Sequence, residues 1–308
     1  MENLKKQFRG IWVKCKLLLG RLPAISTVIA ALAIFLFSVH PVQAINQNKT
    51  DGPQRIVSLS PAVTESLYLL GMADSVVGVT TFCNRPVEAR SKTKIGTLIE
   101  PDVEKIVSLR PDLVIAMSLT NHKTLKKMRD IGLNVLLLEV PDTFSRLCDV
   151  FKSIGDATGR SVKARRIIEE AWATVSDIRK RTGRMPKPRV LVQIGAKPFF
   201  VATNDFFIND LIEFSGAVNV FKDARSGNVS REEAVIQNPD VIFVVTMGIS
   251  GENERQAWDR FRTVNAVKQR RIYLIDSDDV CSPTPVSFAS FLENVAKLLH
   301  PGIKKGLK

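Results

Sequence analysis

The stretch TGRSVKARRIIEEAWATVSDIRKRTGR, residues 158–184, decides the fold. Val162, Ile168, Ala171, Trp172, Val175 and Ile178 recur at three- to four-residue spacing, which predicts one long helix with a single buried face and basic residues over the other. Gly159 and Gly183, with Pro186 and Pro188 beyond, punctuate its two ends. At about 1.5 Å per residue such a helix spans on the order of 35 Å, the breadth of a small domain. It is either a crossover helix within one α/β domain or a strut between two lobes.

A repeat on either side favours the strut. Upstream stands Glu104-Lys-Ile-Val-Ser-Leu-Arg-Pro111-Asp112-Leu-Val-Ile-Ala, and downstream Glu232-Glu-Ala-Val-Ile-Gln-Asn-Pro239-Asp240-Val-Ile-Phe-Val. In both, a glutamate precedes Pro-Asp by seven residues and an apolar, β-rich run follows at once. Each copy reads as a short helix, a proline that ends it, and a buried strand. Two similar α/β lobes therefore flank the helix, and two lobes imply a cleft.

Residues 1–44 read as a secretory signal peptide. Lys5, Lys6, Arg9, Lys14, Lys16 and Arg21 form a basic leader, residues 24–39 are an uncharged apolar run, and Val42-Gln43-Ala44 has the small-residue pattern of a cleavage site. The apolar run is shorter than the roughly 20 residues of a comfortable membrane span, with an uncleaved inner-membrane anchor as the alternative. No cysteine ends that run, so the expected product is soluble and periplasmic, not lipid-anchored. Removing the leader's six basic residues and one acidic residue lowers the net charge from +13 to +8. The remaining excess is scattered along solvated helix faces with no interleaved aromatics, which argues against nucleic acid.

The predicted layout is 45–157 for the first lobe, 158–186 for the linking helix and 187–308 for the second lobe. Strands are expected at residues 55–60, 76–80, 113–117 and 134–139, alternating with helices, which implies a parallel sheet. The second lobe repeats the scheme with strands at 189–194, 241–246 and 271–276, a loop at 195–204 and a closing helix at 287–299. In such sheets ligands sit beyond the carboxyl ends of the strands. That rule places Ser60, Pro61, Phe82, Cys83 and Met117 at the cleft on one side, and Phe199, Phe200, Asp278 and Asp279 on the other. Of the three cysteines after the leader, Cys148 lies among apolar neighbours in a helix and is expected to be a buried thiol, whereas Cys83 and Cys281 fall in loops after strands. They could pair across the cleft, or Cys83 could bind a soft metal.

These residues resemble the periplasmic substrate-binding proteins whose two lobes are joined by a single long helix, which serve ABC importers of cobalamin, haem and iron-siderophores. The stretches that carry the resemblance are Arg55-Ile-Val-Ser-Leu-Ser-Pro-Ala-Val-Thr-Glu65, the Glu104 segment to Ala116, and Asn219-Val-Phe-Lys-Asp223 with Val229-Ser-Arg-Glu232. The chain looks most like the cobalamin-binding members. The resemblance implies two Rossmann-like lobes, no cofactor, a monomer, and a small-molecule ligand such as a corrinoid (cobalamin or cobinamide), with an iron-siderophore as the alternative. It also implies that Glu104 and Glu232 dock on the membrane permease. Where the family pattern leads one to look for tryptophans around a corrin, this chain has Leu98 and Met117, and Val286 stands where an arginine often follows the second proline of Pro283-Thr284-Pro285. Haem fits less well, because Tyr68, Tyr273 and His300 do not stand where an axial ligand is needed, and His122, the one near a strand end, reads more readily as an exposed residue in the first turn of a helix. No GxSxG, Walker or GxGxxG motif is present, and no histidine stands ready as a base for Cys83, so an enzyme is the weaker class. With three histidines in the whole chain, a bare zinc or manganese site is not expected.

Overall fold

The computed structural model describes residues 52–246 and 251–303. The leader of residues 1–44 lies outside them. Among the described residues no helix is long and apolar enough to cross a membrane.

The first half of the chain alternates strands and helices: β1 (Ile56–Ser58), α1 (Pro61–Leu69), β2 (Val76–Val79), β3 (Thr93–Lys94), α2 (Val103–Ser108), β4 (Leu113–Met117), α3 (His122–Asp130) and β5 (Val135–Leu138). The five strands form one parallel sheet in the order β3-β2-β1-β4-β5. Alternate residues feed its two faces. Ile56, Leu113 and Ile115 pack into one core layer, and Val57, Val114 and Ala116 into the other. Burial on both faces explains why these strands read as continuous apolar runs.

Two helices follow, α4 (Phe144–Ala157) and α5 (Ser161–Thr182). The second lobe then runs β6 (Arg189–Ala196), β7 (Phe199–Val201), α6 (Ile208–Phe214), β8 (Val218–Asn219), α7 (Arg231–Ile236), β9 (Val241–Val245), α8 (Gly251–Asp259), α9 (Asn265–Lys268), β10 (Ile272–Ile275), α10 (Ser277–Val280) and α11 (Pro285–Leu299). Its sheet has the order β10-β9-β6-β7, with β8 beside β6. This sheet corrects the expectation of a second purely parallel sheet. The segment expected to be one loop, 195–204, turns back at Lys197-Pro198 and pairs antiparallel to β6 as β7.

The repeat is a repeat of backbone as well as of sequence. Arg110 and Asn238, each just before its Pro-Asp, take positive φ of 46° and 43°. Asp112 accepts hydrogen bonds from the Gln54 and Arg55 backbone N–H groups, and Asp240 from that of Arg189. The Arg55 guanidinium donates to the Leu109 carbonyl at the end of α2, and the Arg189 guanidinium to that of Gln237 at the end of α7. In both lobes an arginine at the start of the first strand, Arg55 just before β1 and Arg189 opening β6, and an aspartate after the proline thus lock helix, turn and strand into one unit.

The long helix starts three residues later than the sequence suggests. Thr158 caps α4, Gly159 turns the chain at φ +69°, and α5 begins at Ser161. Its buried residues are Ala164, Ala171, Val175, Ile178 and Thr182. Val162 is instead 75% exposed. Ala164 is the contact that hydropathy does not reveal: a Cβ on Gly155 would lie 2.4 Å from the Ala164 side chain, so α4 and α5 cross in close approach. α5 runs from the first lobe's core, at Ala164, to the second lobe's, at Ala171, Val175 and Ile178, and α4 also belongs to both lobes. Its first half, Phe144, Leu147 and Cys148, is buried in the second lobe's core, and its second half, Phe151 and Ile154, in the first lobe's. Asp210 of α6 accepts a 2.7 Å hydrogen bond from the Phe144 N–H at the start of α4.

Candidate functional site

A cavity of about 570 Å3 opens between the carboxyl edges of the two sheets. Its floor is α4, through Leu147, Val150 and Phe151. Ser60, Pro61, Phe82, Leu98 and Met117 line the first-lobe wall, and Asp278 and Cys281 belong to the second-lobe wall. Three first-lobe side chains on the wall, Phe82, Leu119 and Val140, are large, hydrophobic and exposed, each from a loop that ends a different strand. An apolar cluster of this kind left open to water on a folded protein marks a surface that something covers.

Four of the expected cleft residues lie elsewhere. Cys83 follows β2, but a tight turn in which its N–H donates to the Thr80 carbonyl swings the side chain inward. It is fully buried, with Thr64 Oγ1 at 3.1 Å and Thr80 Oγ1 at 3.0 Å from its sulfur. It therefore neither faces Cys281 nor reaches a ligand metal. Phe199 and Phe200 follow the β7 hairpin into the second lobe, where Phe199 packs edge-on to Trp258 under the Arg231 guanidinium and Phe200 packs on Phe206. The second-lobe aromatic that does line the cavity is Phe207, in the turn between β7 and α6. Asp279 turns away to Arg85, 3.5 Å between charged atoms. Burial pushes the Asp279 carboxyl above its usual range, the nearby Arg85 charge opposing that rise.

Arg85 is the cavity-lining residue that the sequence reading passes over. Its guanidinium, on the β2 loop, donates to the Asp278 carbonyl and pairs with Asp279 of the second lobe and, at 3.4 Å, with Glu65 of α1. Glu65 in turn accepts a 3.1 Å hydrogen bond from Thr284 Oγ1 at the start of α11. These contacts clasp the two lobes along one side of the cavity. The available signal was the charge itself, a lone arginine between Asn84 and Pro86 in a loop at a strand end.

Cys281 lies in a concave wall, reached by solvent yet surrounded by protein, and its thiol is pushed up to about 11, first by burial and then by the charges of Asp278 and Asp276. Burial likewise pushes Cys148, inside the second lobe's core, up to about 12. Iodoacetamide at pH 7.5 should therefore modify Cys281 at least about tenfold more slowly than an ordinary thiol of pKa about 8.5, and faster with each pH unit towards 11. Peptide mass mapping of a timed reaction reads this directly, and an ordinary rate at neutral pH would refute the shift. Among the described residues, no cluster of three or more His, Cys, Asp or Glu is placed to hold a metal ion.

Glu104 and Glu232 occupy equivalent places. Each is the second residue of its short helix, α2 or α7, and each is exposed. The helix starts are capped by other residues: Asp102 accepts from the Lys105 N–H, and Ser230 exchanges hydrogen bonds with Glu233. Both carboxylates are thereby left outside the capping, and neither makes an ion pair among the described residues.

Comparison with known proteins gives a concordant result. The family described as "Periplasmic binding protein" matches residues 56–279. An uncharacterized ABC transporter substrate-binding lipoprotein of Bacillus subtilis is 31% identical over 278 residues, 86% of this chain and 87% of that one. A vitamin B12-binding protein of Vibrio cholerae is 24% identical over 75% of this chain and 84% of its own length. Among solved structures, a possible iron-binding, periplasmic solute-binding protein of Staphylococcus epidermidis superposes with a TM-score of 0.68 at 29% identity, over 79% of this chain and 98% of that one.

Proposed function

The chain belongs to the periplasmic binding protein family, and from that premise we propose that it captures a corrinoid, cobalamin or cobinamide, outside the cytoplasm and delivers it to an inner-membrane ABC permease. Its place as the substrate-binding component of an ABC importer, not an enzyme, follows from the family. The corrinoid is the finer step. The observation that carries it is the cavity lining: exposed Phe82, Leu119 and Val140 with Leu98, Met117 and Phe207 offer apolar contact to both faces of a large ring. Among the described lining residues there is no histidine or tyrosine, two of the side chains that commonly supply an axial bond to haem iron. The cavity's arginine, Arg85, is already paired with Glu65 and Asp279, which leaves little unspent positive charge for a strongly anionic siderophore. The vitamin B12-binding relative is in accord with this choice.

A thermal-shift panel tests it. Cyanocobalamin or dicyanocobinamide at about 100 times its dissociation constant should stabilise the protein by about 2.7 kcal/mol, whereas haemin and ferric siderophores give no shift. A shift from a siderophore alone would replace the ligand while leaving the transport role in place. The corrinoid spectrum should be the same with Cys83→Ser, because that thiol is enclosed within the first lobe.

A further inference from the structure

The twin helices α2 and α7 carry Glu104 and Glu232 at the same place, yet the residue before each glutamate differs. In α2 it is Val103, buried in an apolar core layer beside Ile106. In α7 it is Arg231, whose side chain is only 19% exposed. Its guanidinium lies over an edge-on pair of rings, 4.8 Å from the centre of Phe199 and 5.0 Å from that of Trp258. Glu254 of α8 accepts a hydrogen bond of 2.6 Å from Arg231 Nη2 and one of 2.7 Å from Gln193 Nε2. Gln193 Oε1 in turn accepts from the Trp258 indole N–H at 2.9 Å. Burial opposes the charge of the Glu254 carboxylate, but the hydrogen bonds from Arg231 and Gln193 outweigh it and hold the group below the usual carboxylate range.

Packing alone does not call for an arginine here, since a valine fills the matching position of α2. An arginine is the more costly choice: a charge is taken out of water, and Arg231 Nη1 is buried with no hydrogen-bond partner. What it adds is direction. A planar cation held by two ring faces and a carboxylate is fixed in both place and orientation, and it is the first residue of a helix only six residues long. Its charge is also taken up by Glu254, so the carboxylate of the next residue, Glu232, stays exposed and without an ion pair among the described residues. The first lobe reaches the same end by other means, with Lys105, next to Glu104, paired to Asp102 at 3.5 Å. We propose that Arg231 is a positioning residue for permease docking: it anchors the start of α7 to the second lobe's core and keeps its own charge on Glu254, which holds the Glu232 carboxylate at a fixed point and uncompensated. This rests on the reading of the chain as the partner of an ABC permease that Glu232 touches.

The test is a double-mutant cycle read on the dissociation constant between the full chain and its permease in lipid nanodiscs. Arg231→Lys keeps the charge but loses the planar contact with both rings, and Glu254→Gln removes the counter-charge. Each should raise that constant about three- to tenfold, the size of coupling usual within one network, while circular dichroism stays that of the wild type. In a Glu232→Gln background, Arg231→Lys should have no further effect, because the arginine acts through that carboxylate. A merely structural loosening would weaken docking with or without Glu232. Effects that multiply in the double variant therefore overturn the proposal and leave the docking role of Glu232 in place, as does wild-type binding by either single variant at Arg231 or Glu254. If Glu232→Gln itself binds the permease as the wild type does, the docking role of Glu232 falls and the proposal falls with it.

Discussion

Replacing Glu104 and Glu232 together by alanine should abolish ligand import while leaving ligand affinity within about twofold. The two carboxylates sit at matching positions on α2 and α7, exposed and without ion-pair partners among the described residues. If Glu104 and Glu232 dock on the permease, two like charges held by two copies of one folding unit would serve as a two-point key, each point adding modest electrostatic attraction and the pair together fixing orientation and encounter rate. Neither lines the cavity, so the ligand should not sense their loss. Each single substitution should leave import reduced and more sensitive to salt, since an exposed pair is screened over about 8 to 10 Å at ordinary ionic strength. Glu233 provides an internal control. Its carboxylate closes the capping box on Ser230 at 2.6 Å, so Glu233→Gln should keep import while Glu232→Gln impairs it. A dissociation constant that rises in step with the loss of import would place Glu104 and Glu232 in ligand binding instead.

The second large effect is on stability. Phe144→Ala should lower it by roughly 3 to 5 kcal/mol, the usual cost of removing a fully buried phenylalanine. The ring stacks on Phe288 of α11 at 4.5 Å between centroids and meets Trp172 of α5 edge-on at 4.7 Å. It thereby joins helices from both halves of the chain at one point. For a protein of this size that loss corresponds to a fall in melting temperature on the order of 10 °C. Calorimetry should still show one transition, because α4 is buried partly in each lobe. Two separated transitions, or an unchanged melting temperature, would contradict the shared core.

The fold was legible where periodicity and punctuation agree. β4 occupies the predicted residues 113–117, a continuous apolar run bounded by Pro111-Asp112. The repeat announced two similar lobes because its proline and aspartate stand at the same turn in each. The misses have separate physical causes. Val162 fits the helical period but precedes the point where α4 covers α5, and the close approach is made by Gly155 and Ala164, residues with almost no hydropathy signal. α8 was not anticipated, since GENERQAWD contains one large apolar residue, Trp258, whose indole N–H donates to Gln193 in the core.

At the cleft, the rule that ligands sit at strand ends reached segments that line the cavity after β1, β2, β4 and β10 but not at 195–204, and it could not say which way a side chain turns. The β2 loop sends Phe82 outward, Cys83 inward and Arg85 across to the other lobe. Phe199 and Phe200 were assigned to the loop 195–204, whereas Lys197-Pro198 is the turn of a hairpin and the two aromatics begin its returning strand.

The burial of α4 in both halves has a consequence for how the molecule comes into being. A fragment cut at Ala157 would bare Phe144, Leu147 and Cys148, whose packing partners Phe214, Phe288 and Leu292 lie in α6 and α11. A growing chain faces the same deficit: α4 is complete about 140 residues before α11 ends at Leu299, which at about 5 to 20 residues per second is a wait of roughly 7 to 30 seconds. During that interval the nascent polypeptide displays one half of an unfinished hydrophobic helix, although the buried residues of the first lobe's own core, Ile56 to Ala164, have all been made. The last of the described helices therefore decides when the second lobe's core closes over the start of α4, so a chaperone that shields that helix end meanwhile acts with the sequence and not against it.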